Sequence, residues 1–138
     1  MQTIQETSKH YVFISDNFGI GLFYPLLLKL LKKEEEHKNH FSVLYLSEEE
    51  IFIFQNEIET LAKRFPGILL AYFKKQPLKE YIETILNTNI KNHIQFDISL
   101  CEEWENQVVK HLLYLGVDQS SIHLLKENRI NQFSNIIK

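Results

Sequence analysis

Tyr11-Val12-Phe13-Ile14-Ser15-Asp16-Asn17-Phe18-Gly19-Ile20-Gly21-Leu22 carries a β-branched and aromatic run into a short polar turn and then into apolar sequence. The run reads as a strand. Leu22 to Glu36, with Leu26, Leu27, Leu30 and Leu31 at helical spacing and Pro25 within its first turn or so, reads as the helix that follows. A strand that feeds a helix through a tight turn aims backbone N–H groups and the positive end of the helix dipole at one point, a geometry suited to a phosphate. Here the turn holds Asp16, a negative charge where a phosphate loop would place glycine. Asp16, Asn17, Phe18, Gly19, Ile20 and Gly21 therefore form a candidate ligand segment with a built-in conflict of charge.

The same strand-then-helix pattern recurs outward from this segment. Lys38 and Asn39 form a loop before Phe41 to Leu46, a second strand, and Ser47 with Glu50 three residues on has the capping-box spacing of a second helix. That helix is expected to reach about Arg64, with Ile51, Phe54, Ile58 and Leu61 on its apolar face, and to end at Pro66-Gly67. Ile68 to Phe73 is nearly all apolar, as for a strand covered on both faces, and Pro77 opens a third helix reaching about Leu86. Asn87 to Asn92 is turn-rich. Ile94 to Ser99 is a fourth strand, and Glu102 to Leu115 a fourth helix with Val108, Leu112 and Leu115 inward and Gly116 as C-cap. Ile122 to Leu125 is a short fifth strand, ahead of a weakly specified tail at 127–138. This order predicts an α/β fold, a three-layer doubly wound sandwich with about five parallel strands. Ligands of such sheets sit beyond the carboxyl ends of the strands, which singles out Asp16 to Gly21, Leu46 to Glu49 and Ser99 to Glu103.

Composition narrows the function classes. The 138 residues suit one domain, 1–138, whose first nine residues form a polar arm that does not read as a signal peptide. A net charge of −3 with scattered lysines gives no electrostatic footprint for nucleic acid, and no apolar stretch is long enough for a membrane span. The single cysteine, Cys101, fits a reducing, cytoplasmic setting.

On the residues of the three loops, the chain resembles the pyridine-nucleotide-binding module of the ferredoxin–NADP reductase family over about Tyr11 to Leu125. The family's first strand ends in Ile-Ala-Gly-Gly-x-Gly-Ile-Thr-Pro, and Ile14-Ser15-Asp16-Asn17-Phe18-Gly19-Ile20-Gly21-Leu22 takes its place, retaining Ile14, Gly19 and Ile20. Val43-Leu44-Tyr45-Leu46-Ser47, then Phe52, Phe54, Glu57, Ile58 and Leu61, resemble its second strand, ribose loop and helix. Its Cys-Gly-Pro-x-x-Met falls on Ser99-Leu100-Cys101-Glu102-Glu103-Trp104, with Val108, Leu112 and Gly116-Val117 in frame.

The resemblance implies strand order 3-2-1-4-5 and an NAD-binding site at Asp16, Asn17, Phe18, Gly19, Ile20, Gly21, Ser47, Glu48, Ser99, Leu100 and Cys101. It implies no catalytic side chain and no metal. NADP is disfavoured, because Glu48, Glu49 and Glu50 would oppose its 2′-phosphate, while Glu48 or Glu49 can accept a ribose hydroxyl. FAD is expected only on a partner domain or protein. The departures have physical consequences. Side chains at 16 and 17 fill the space of a pyrophosphate, and Leu100 replaces the glycine where a nicotinamide would pass. A competing expectation is an interaction or scaffold domain that has lost its nucleotide.

Other readings are weaker. Asp16 at a strand end suits the magnesium site of a receiver-like signalling domain, but Ala71-Tyr72-Phe73 provides no acid at the end of the third strand. His37 and His40 lack a third ligand at defined spacing and read as a solvated helix end. Cys101 has no identifiable base, and Ser15, Ser99, His93 and His123 are framed by no hydrolytic motif. Trp104 and the other aromatics read as core, Lys74-Lys75 as a solvated loop.

Overall fold

A computed structural model describes residues 9–33, 39–88 and 93–125. Its elements are β1 (Lys9–Ser15), α1 (Asn17–Lys33), β2 (His40–Leu46), α2 (Gln55–Arg64), β3 (Leu69–Lys74), α3 (Lys79–Thr88), β4 (His93–Ser99), α4 (Glu102–Tyr114), a short 3-10 turn at Gln119–Ser121 and β5 (Ile122–Leu124). The polar arm before Lys9, the end of the first helix and His37, the turn-rich 89–92 and the tail from 126 lie outside the described residues.

The five strands form one sheet in the order β3-β2-β1-β4-β5, every pairing parallel. The predicted α/β class and strand order are both observed. Successive residues of the central strands point to opposite faces, and both faces are apolar because both are covered. Phe13, Val43 and Tyr45 pack with Ile20, Phe23, Leu27, Leu31, Ile58 and Leu61 from α1 and α2. On the other side Val12, Ile14, Leu44, Leu46, Phe96 and Ile98 pack with Ile82, Ile85, Val108 and Leu112 from α3 and α4. These two cores make the three layers.

Four local expectations are corrected. First, α1 begins at Asn17, not Leu22, so the segment 17–21 is helix and Pro25 lies well inside it. The glycines signalled a loop, but Asp16 caps the helix and burial of Gly19 and Ile20 holds it. Second, Ser47 and Glu50 do not open α2. They close a separate turn, in which Glu50 N–H donates to the Ser47 carbonyl at 3.0 Å and Ile51 N–H to Ser47 Oγ at 3.2 Å, with Glu50 at φ 60°. The helix starts eight residues after Ser47, and Ile51 is exposed rather than on its apolar face. Third, α3 begins at Lys79, two residues past Pro77. Fourth, β3 is an edge strand with Leu70 exposed, so its apolar run does not reflect cover on both faces. Gly116, at φ 90°, terminates α4 as the sequence predicts.

Candidate functional site

Parallel register delivers the ends of β1, β2 and β4 to one edge. Ser15 lies between Tyr45 and Ser99, and the three expected loops emerge beside one another, since each strand enters the sheet in the same direction.

At the centre of this rim is Asp16. Its Oδ1 accepts from Gly19 N–H at 2.9 Å, the N-cap bond of α1, and its Oδ2 accepts from Cys101 N–H at 3.1 Å, at the N-cap position of α4. One carboxylate thus satisfies orphan donors at the starts of two helices, whose dipoles both favour negative charge there. The sequence reading anticipated a charge in a phosphate's place. It did not anticipate that this charge already binds the N–H groups a phosphate would use.

Gly19 has a role in packing. A Cβ there would lie 2.2 Å from the Ser99 carbonyl oxygen and 2.8 Å from Ser99 Cβ, so the glycine permits α1 to touch the backbone end of β4. Ile20 is fully buried in the first core and a Cβ at Gly21 would meet open space. Ser99 is buried, Leu100 packs against the second core, and Cys101 is exposed beside Asp16.

Asn17 ties the first junction to the second. Its Nδ2 donates to the Ile51 carbonyl at 2.7 Å, and its Oδ1 accepts from Ile53 N–H at 3.0 Å and from the Tyr45 hydroxyl. The Tyr45 oxygen in turn accepts from Phe54 N–H at 3.1 Å. Burial raises the Tyr45 pKa above its ordinary value, against the opposing pull of the Phe54 and Ile53 N–H groups, which keeps the hydroxyl a neutral donor. The sequence reading did not single out Tyr45 as part of this rim. At the end of an apolar strand its ring reads as core, which it is, and only its hydroxyl reaches the turn.

Asp16, Asn17, Phe18, Leu46, Ser47, Glu48, Glu49 and Trp104 line an open cavity of about 330 Å3. Of the residues singled out from the sequence, Asp16, Asn17, Phe18, Ser47 and Glu48 are thus neighbours around one cavity, while Ser99, Leu100 and Cys101 do not line it. Trp104, assigned to the core by its spacing, packs against the second core and also lines this cavity. Three acids and two aromatic rings border it, which suits ring stacking and hydroxyl recognition better than phosphate. Among the described residues no group of three or more His, Cys, Asp or Glu side chains could hold a metal ion, and no helix is long and apolar enough to cross a membrane.

No protein-family model matches the chain, and no curated protein matches it by sequence. Solved structures do. The CS-b5R domains of human Ncb5or, in an NAD+ form, superpose with a TM-score of 0.72 at 14% identity, covering 86% of this chain and 37% of that one. The flavohem-like FAD/NAD binding domain of nitric oxide dioxygenase from Vibrio cholerae superposes with a TM-score of 0.64 at 21% identity, covering 90% of this chain and 52% of that one. This chain thus spans only about a third to a half of the structures it matches. With its strand order, these likenesses show that the chain has the fold of the ferredoxin reductase-type NAD-binding module.

Proposed function

We propose that the chain is the pyridine-nucleotide side of a reductase-like assembly, with NADH as its nucleotide and the flavin held by another domain or protein. The observation that carries this reading is a cavity lined from both the first and second strand–helix junctions at the carboxyl edge of the sheet, where doubly wound folds take nucleotides. Two similar structures support it, one in an NAD+ form and one described as a FAD/NAD binding domain. In this reading Ser47 and Glu48 receive ribose hydroxyls, and Glu48, Glu49 and Glu50 turn away a 2′-phosphate. The nucleoside end of NADH fits the residues present. The diphosphate end does not fit while Asp16 holds the Gly19 and Cys101 N–H groups, so affinity is low. Hydride chemistry belongs to the cofactors, and this chain supplies position and charge.

A second reading is a non-catalytic interaction domain, favoured by the same two bonds of Asp16, which complete the rim without any ligand. Calorimetric titration of the protein and of Asp16→Gly with NADH and NADPH separates the two. A charge about 4 Å from a phosphate at an effective dielectric near 20 costs roughly 4 kcal/mol, so Asp16→Gly should tighten NADH binding by up to several hundredfold. Asn17 stays intact because it holds the 51–53 turn. Sub-millimolar binding of NADH by the native protein supports the nucleotide reading. Silence of both proteins toward both nucleotides leaves the interaction domain, and NADPH binding as tightly as NADH refutes the role given to the acids.

A further inference from the structure

We propose that the rim bearing Phe18, Ile51 and Ile53 is a docking face for a basic protein surface, one that presents apolar side chains flanked by lysine or arginine. The three side chains are 65%, 60% and 68% exposed, among the most exposed large hydrophobics of the described residues. Their exposure is not that of a loose loop. Asn17, next to Phe18, is bonded to the backbone of both Ile51 and Ile53, so one hydrogen-bonded unit presents all three. Glu50, at φ 60°, turns the chain immediately before Ile51 in a conformation non-glycine residues seldom adopt.

Charge decides the occupant. Around the apolar centre stand Asp16, Glu48, Glu49 and Glu50, with Glu102 and Glu103 at the start of the neighbouring α4. No lysine or arginine occurs in residues 10–28, 39–62 or 93–109, the stretches that build this rim. The bases on this edge are Lys74, the last residue of β3, whose backbone carbonyl accepts from Ser47 N–H at 3.0 Å, and Lys75 after it; the Lys74 ammonium is drawn over the Tyr81 ring, 4.8 Å from its centroid. An apolar patch inside a one-sign field selects the opposite sign in its partner and repels anionic lipid. A second copy is disfavoured as well, since a two-fold pairing of this face would set acids against acids.

This inference goes beyond the nucleotide reading and does not depend on it, and its test uses no nucleotide. The isotope-labelled full chain is titrated with a helical peptide of leucine and lysine, and with a twin carrying glutamate for every lysine, while backbone amide shifts are followed. The lysine peptide should move the Phe18, Ile51 and Ile53 amides and bind at least ~10-fold more tightly than its twin, with affinity falling as salt rises. Phe18→Ser with Ile53→Ser, and separately Glu48→Lys with Glu49→Lys, should each weaken it by ~10-fold or more while the rest of the spectrum is unchanged. Equal binding of the two peptides, shifts centred elsewhere, or shifts at these amides caused by dimerisation without peptide would each overturn the proposal.

Discussion

Gly19 and Gly21 lie two residues apart in α1 and should respond to alanine with opposite signs. At Gly19 the added Cβ would meet the Ser99 carbonyl at 2.2 Å, where real contacts are essentially never under 3.0 Å. The oxygen cannot swing aside, because Ser99 is buried and paired with Ser15 in the sheet. Either α1 or the end of β4 must move by roughly 1 Å, and overpacking of that kind costs about 1–3 kcal/mol or more, against about 1 kcal/mol gained in helix propensity. The net is a loss of about 2 kcal/mol if the strain lies at the upper end of that range. At Gly21 the Cβ meets nothing within 4 Å, so alanine should stabilise by about 0.5–1 kcal/mol. The two variants should differ by about 3 kcal/mol in urea unfolding, roughly 10 °C in Tm for a domain of this size. A neutral Gly19→Ala, or a Gly21→Ala that destabilises, would refute the helical start at Asn17 and restore the glycine loop that the sequence pattern suggests.

Two further outcomes follow from polar groups held in long-range hydrogen bonds. Asn17→Ala removes the bonds to the Ile51 carbonyl, the Ile53 N–H and the Tyr45 hydroxyl, of which the first two are open to water, and should cost about 0.5–1.5 kcal/mol, with faster hydrogen exchange at Ile53 and Phe54 while the β1 amides stay protected. His10, buried on β1 with its Nε2 2.8 Å from Ser42 Oγ, has its pKa pushed down to about 4, first by burial and then by repulsion from His40. The folded state keeps this imidazole neutral while the unfolded chain protonates it near 6.5, so its contribution is whole above that value and is lost as pH falls toward 4. Stability should drop by about 2 kcal/mol between pH 7.5 and 5 from this group, and His10→Gln should flatten that part of the profile. An unchanged slope in the variant would show that another group titrates.

How much was legible follows from the range of the interactions involved. The five strands, the order of the helices between them and the Gly116 stop are written as local periodicity and turn chemistry, and the strands stand within a residue or two of where the pattern puts them. The errors cluster at the ligand edge. Ser47 and Glu50 have capping-box spacing, yet Asn17 draws the chain after Glu50 into a turn that delays α2. Glycines at 19 and 21 argue locally for a loop, yet Asp16 and the fit against Ser99 make the segment helical.

The sequence alone determined that this is a doubly wound α/β domain, because burial on two faces of a sheet imposes a residue pattern within each element. It also placed the candidate site at three strand ends, since parallel strands must gather their carboxyl ends at one edge. Only the tertiary structure decided what the residues there do. Asp16 meets Cys101 across 85 positions of chain, and Asn17 meets Ile51 across 34. Such partners become neighbours through the parallel register of β1 with β2 and β4, which no local pattern around residue 16 encodes.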